Sequence, residues 1–212
     1  MSGHTIRIFR IALRLFLSMN DADTLNWIRI RKIVPPIRKH GSDRAPTLDE
    51  LKKILGNCSL RMKCVVLVLL TSGIRIGAFK WLKWRDVEPV KFGKYEFAKL
   101  TVYRGENEEY YTFVTPECYK YLQEYRALRE QAGEKVDPNS PLIRDDWGNY
   151  KEAKDPGKAV AVTPKSLRDH LGRMYKRIGL RGAKDGGRHE FQQAHGFRKF
   201  FKYQLKACLL FN

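Results

Sequence analysis

Residues 65–84 read VVLVLLTSGIRIGAFKWLKW, and the fold turns on what Arg75 is doing there. Val65 to Leu70 is the most apolar run in the chain, and Ile74, Ile76, Ala78, Phe79 and Trp81 continue its character. The first part reads as a buried helix from Arg61 to Leu70, ended by Ser72-Gly73, and a further helix is expected from around Arg75 to about Lys83. A guanidinium is too costly to bury without a partner. A carboxylate at the core edge, such as Asp86, would serve. A phosphate would also serve, and would use the free N–H groups and positive dipole end of a helix start as well. On this residue alone both remain open.

Upstream, Thr47-Leu48-Asp49-Glu50 has the form of a capping box, with Leu48, Leu51, Ile54 and Leu55 following at helical spacing as far as Gly56. Before it, "KIVPPIRKHGSDRAPTL" is a linker by its prolines, glycine and polar residues. Ile6, Phe9, Leu13 and Phe16 mark one face of an N-terminal helix, and Trp27, Ile28 and Ile30 a short second patch. One helix and a fragment are too little to bury a core alone. Residues 1–40 therefore read as the tail of a helical domain or an arm that packs on DNA.

Downstream the period changes. "KFGKYEFAKLTVYRGENEEYYTFVTPE" alternates β-branched and aromatic residues on both sides of RGENEE, the pattern of a hairpin, with another short strand near Tyr95 before it. Thr115-Pro116-Glu117 starts a helix whose face is Tyr119, Leu122, Tyr125 and Leu128. Pro138 to Gly157 reads as a long loop, Thr163-Pro164 opens a helix through Tyr175, and a last helix runs from about His195 to Leu210. The fold class is mainly α with one small antiparallel sheet.

The 212 residues allow one sizeable domain or one and part of another, and 43% apolar and 12% aromatic residues are the composition of a folded protein. A net charge of +18 points to a polyanion, nucleic acid first and an anionic membrane surface second. The charge is uneven. Residues 163–212 hold twelve Lys or Arg against three Asp or Glu, residues 1–44 nine against three, and residues 94–134 six against eight. Cys58, Cys64, Cys118 and Cys208 lack metal-site spacing and read as reduced thiols of an intracellular protein. No apolar run approaches a membrane span, and Arg7, Arg10 and Arg14 interrupt the N-terminus too often for a secretory signal.

Two further places hold candidate chemistry. In "HGFRKFFKYQL", His195 and Arg198 share a helix face, one able to move a proton near neutral pH and the other a bidentate fork for an oxyanion. Phe197, Phe200 and Phe201 would face the core. Arg104 stands at the edge of the acidic hairpin tip, where a locally paired surface charge is the plainer reading.

An arginine in an SGxR turn after an apolar helix, a basic residue on a hairpin, then HxxR near a C-terminal helix: in that order these motifs resemble the catalytic domain of tyrosine recombinases, the phage-integrase family. The resemblance runs from about Asp43 to Leu205 and is nearest to archaeal integrases. Its strongest stretches are DRAPTLDELKKIL, LLTSGIRIGAFKWLKWRDV and HGFRKFF. It implies a recombinase catalytic domain over residues 43–212, preceded over residues 1–40 by the end of a core-binding domain and linker.

The resemblance also implies a mechanism. Arg75 and Arg198 would clamp the scissile phosphate and stabilise its pentacoordinate transition state. His195 would assist proton transfer. A tyrosine would attack the phosphorus, leaving a 3′-phosphotyrosine link that conserves the phosphodiester energy without ATP, metal or other cofactor. The partner implied is double-stranded DNA, chromosomal or viral, with two duplexes exchanged in a synaptic homotetramer inside the cell. Arg38, Lys39, Arg44, Lys165, Arg188 and Lys199 are the basic residues expected on DNA.

Three positions depart from the family pattern. Arg104 stands nearest to the family's hairpin lysine, the general acid, yet arginine scarcely releases a proton; Lys99 is the alternative. Ala78 replaces a frequent acidic residue. Fourteen residues follow Arg198, whereas the family's second histidine or tryptophan and its tyrosine lie a loop and a helix further on. Tyr203 does not match that position, so no nucleophile is assigned. The expectation is a recombinase fragment cut at its C-terminus and also at its N-terminus, or else a relic that holds DNA without cleaving it. A general basic nucleic-acid binder is the third reading, against which the ordered Arg75, His195 and Arg198 argue.

Overall fold

The computed structural model describes residues 3–22, 24–35, 44–145, 159–182, 189 and 192–210. It is mainly helical: α1 (Gly3–Met19), α2 (Trp27–Ile33), α3 (Leu48–Gly56), α4 (Leu60–Ser72), α5 (Pro116–Gln131), α6 (Pro164–Arg177) and α7 (Gln193–Leu210). Strands β1 (Val87–Phe92), β2 (Tyr95–Val102) and β3 (Tyr110–Val114) form one antiparallel sheet in the order β1-β2-β3. The chain divides into two compact units, residues 1–41 and 42–212. In the first, α1 carries Phe9, Leu13 and Phe16 exposed, and Asn26 caps α2 by accepting from the Arg29 N–H at 3.0 Å.

In the second unit α3 begins with the expected capping box. Thr47 accepts from the Glu50 N–H at 3.2 Å, and the Glu50 carboxylate accepts from the Thr47 N–H at 2.7 Å. Arg44 joins the same carboxylate through both terminal nitrogens, at 2.7 and 2.6 Å. That fork holds the Glu50 carboxyl at about 2, well below its ordinary range.

α4 is the centre of the core: Met62, Cys64 and every residue from Val65 to Leu70 are buried. It is buried nearly all round because α5, β3 and α7 pack against it from different sides. Ser59 caps its start, and Gly73 ends it in the left-handed conformation (φ 63°) that glycine adopts most readily.

The helix expected over residues 75–83 is instead a short 3-10 turn, Ile76–Lys80, followed by a second, Trp84–Asp86. Arg75 precedes the first with extended backbone (φ −77°, ψ 143°). Five residues are too few for an appreciable helix dipole, so that part of the argument for Arg75 falls away. The first strand also lies earlier than expected, at Val87–Phe92, and Tyr95 begins β2. The RGENEE segment does join the antiparallel pair β2 and β3.

On α5 the buried face is Cys118, Leu122, Tyr125 and Arg129, while Leu128 is exposed. Arg129 is fully buried because its charge is met. It donates to both Glu134 carboxylate oxygens at 3.1 and 2.5 Å, and to the Pro141 and Leu142 carbonyls at 2.7 and 3.3 Å. Arg144 adds a third cationic donor to Glu134 at 2.8 Å. This cluster fastens the segment after α5 to the body of the unit.

Candidate phosphate-binding site

The turn that ends α4 is gripped from two sides. The Thr112 hydroxyl of β3 donates to the Ser72 carbonyl at 3.0 Å, satisfying one of the acceptors a helix end leaves open. From α7 the Phe201 ring lies against Gly73 so closely that a Cβ there would stand 2.8 Å from Cε1 and 3.1 Å from Cγ, with Cδ1 nearer still. Glycine is therefore required at position 73 twice, by its backbone and by the ring.

This packing draws together the two segments that carry the predicted arginines. Arg75 lies two residues past Gly73, and Arg198 stands one helical turn before Phe201. Tyr110, at the start of β3, lies in the field of both. Burial, then Tyr103, pushes its phenol pKa up, while Arg198 and Arg75 pull it down. Phe197 anchors α7, buried against Tyr175 edge-to-face at 6.4 Å. Phe200 and Phe201 are half-buried, Arg198 is half-buried, and His195 one turn earlier is exposed.

Arg75 itself is exposed, although Ile74, Ala78 and Phe79 around it are buried. It stands outside the core wall that its apolar neighbours build. The proposed pairing with Asp86 is absent. Asp86 is buried and accepts from the Lys83 N–H at 2.8 Å and from Arg104 Nε at 2.7 Å. Among the described residues no carboxylate pairs with Arg75 or Arg198.

Arg104 is occupied. Besides Asp86 it reaches Glu88 at 3.1 Å and the Arg85 carbonyl at 3.2 Å, and the Asp86 hydrogen bond above all raises its pKa further. Lys99, its alternative, pairs with the same Glu88 at 2.9 Å. One carboxylate thus holds both hairpin cations, and they in turn hold it below the usual carboxylate range, Lys99 most strongly.

No protein-family model matches this chain, and no curated protein matches it. Among solved structures it is similar to the XerH site-specific recombinase bound to difH substrate in a pre-cleavage complex, at 19% identity and a TM-score of 0.62, covering 100% of this chain and 57% of that one. It is similar to lambda integrase bound to DNA, at 14% identity and a TM-score of 0.61, covering 98% and 66%. XerA recombinase matches at 19% identity and a TM-score of 0.55, covering 97% and 63%. The fold is that of a tyrosine recombinase. The chain spans about three-fifths of the length of these neighbours.

Within this recombinase fold the other predicted DNA contacts fall variously. Lys165 is exposed in the first turn of α6, and Lys199 is half-buried on α7. Arg44 is engaged by Glu50. Arg38, Lys39 and Arg188 lie outside the described residues. Sequence reasoning missed Tyr110 and Thr112. The signal was present in the alternation of β3, which pairs Tyr110 with Val102 and Thr112 with Leu100 on the inner face and leaves Tyr111 and Phe113 on the outer one. Among the described residues no helix is long and apolar enough to cross a membrane.

Proposed function

We propose that this chain is the phosphate-gripping part of a site-specific DNA recombinase or integrase. The observation that carries the reading is the Gly73–Phe201 contact, which draws together the segments bearing Arg75 and Arg198, neither of them paired with a described carboxylate. Two guanidiniums at one point can hold a phosphodiester and neutralise the charge that grows on a pentacoordinate phosphorus. His195, exposed one turn before Arg198, is the side chain on this helix that could assist proton transfer at the phosphate. Cleavage through a 3′-phosphotyrosine would need a tyrosine at the phosphorus, and Tyr203 is no candidate, lying exposed on α7 itself. The partner is double-stranded DNA, with residues 1–40 as an additional basic arm and with synapsis between copies of the chain.

A second reading, a relative that holds DNA without cleaving it, is favoured by the hairpin. The position where a lysine would protonate the leaving 5′-oxygen carries Arg104, a poor acid bound to Asp86 and Glu88, and Lys99 is bound as well. The test is to mix the chain with nicked duplex DNA and to follow both binding against salt and protein–DNA adducts on a denaturing gel. We expect salt-sensitive binding, weakened by Arg75→Ala and by Arg198→Ala, and no adduct. Unchanged binding by both variants would refute the clamp, and an adduct would refute the absence of a nucleophile from this chain.

A further inference from the structure

We propose that Tyr110 is a third ligand of the clamped phosphate, its hydroxyl donating a hydrogen bond to an oxygen that Arg75 and Arg198 leave open. The inference rests on the clamp reading above. Three observations carry it.

First, Tyr110 shares the inner face of β3 with Thr112, whose hydroxyl is bonded to the Ser72 carbonyl. The strand therefore turns this face toward the arginine-bearing turn, with Tyr110 two residues along it. Secondly, the Tyr110 hydroxyl has no hydrogen-bond partner among the described residues, and the side chain is partly open to solvent. The hydroxyl is therefore free to donate to a ligand that enters from solvent. Burial keeps the proton on, so at neutral pH the group gives a hydrogen bond and adds no negative charge.

Thirdly, the ring is held in place. Tyr103 meets it edge-to-face at 6.2 Å, and Tyr103 itself has a left-handed backbone (φ 58°), unusual for a bulky residue and tolerated only where the surroundings fix it. The hairpin is thus bent so that one tyrosine braces the other. Phosphate recognition by tyrosine is a matter of geometry: a rigid ring carries one donor to one oxygen at little entropic cost.

Tyr110→Phe keeps the ring and its packing but removes the donor, so a purely structural tyrosine would tolerate it. Binding to a short mixed-sequence duplex would be measured for Tyr110→Phe, for Tyr111→Phe on the opposite face, for Arg75→Ala, and for Arg75→Ala with Tyr110→Phe. We expect Tyr110→Phe to weaken binding about tenfold with an unchanged melting temperature, and Tyr111→Phe to bind as the parent does. The double variant should lose less than the product of the single losses, because both act on one phosphate. If Arg75→Ala weakens binding and Tyr110→Phe does not, the clamp stands and the third ligand is refuted. Independent losses place the tyrosine on some other phosphate and also refute it. If Arg75→Ala itself has no effect, the clamp reading fails.

Discussion

Replacing Gly73 by alanine tests how the site is assembled. The left-handed backbone at this position costs a non-glycine residue about 1–2 kcal/mol. The new methyl also meets the Phe201 ring, whose Cε1 and Cγ would be 2.8 and 3.1 Å away. Moving a packed aromatic aside costs about 1–3 kcal/mol more. The expected loss is therefore about 2–5 kcal/mol, a fall in melting temperature of about 4–20 °C for a unit of this size. Phe201 lies on the same helix as Arg198, so the ring cannot move without disturbing the guanidinium, and DNA binding should weaken beyond what the unfolded fraction explains. Denaturant titrations of Gly73→Ala, Phe201→Ala and the pair separate the two costs. With the ring gone only the backbone penalty remains, and the pair should be more stable than the sum of the singles predicts by about 1–3 kcal/mol. Strict additivity, or a Gly73→Ala protein as stable as the parent, would refute the packing argument.

Glu88→Gln should strengthen DNA binding severalfold at low salt, because it removes a negative charge and frees Lys99, while Arg104 stays on Asp86; a filter-binding titration decides this. Glu134→Gln leaves Arg129 and Arg144 without their buried counter-charge and should cost about 3–5 kcal/mol in a urea titration. Glu50 has its pKa lowered in the folded chain from 4.5 to about 2. Its contribution is therefore complete above the unfolded value and is lost as pH falls from about 4.5 toward 2. Because Arg44 is partly exposed, the loss should be about 1–2 kcal/mol after solvent screening, and Glu50→Gln should flatten the stability profile in that acid range.

Local rules revealed much of this molecule. The Thr47 capping box, the glycine stop of α4, the proline start of α5 and the hairpin alternation each depend on neighbours within a few positions, and each stands in the structure. That His195 and Arg198 share one helix was legible for the same reason. What escaped notice depends on distant residues. Arg129 sits on the buried face where Leu128 was expected because Glu134 and two carbonyls meet its charge, and no periodicity encodes that. Asp86 was one carboxylate that could have met Arg75, yet the hairpin brings Arg104 to it. Arg75 was expected at the start of a core helix, whereas the chain closes into a 3-10 turn and turns the guanidinium outward.

The Ser72-Gly73 turn has a kinetic consequence as well. Its three walls come from α4, β3 and α7, and the last contact joins Phe201 to a glycine more than half the chain away. Closing so long a loop is entropically costly, and contacts of this kind slow folding. A nascent or partly unfolded chain with α7 undocked holds Arg75 without Arg198, and so has its positive charge but not its paired grip. If the proposed clamp holds, its grip requires α7 to be docked, and a local opening of α7 would release it before the rest of the unit melts.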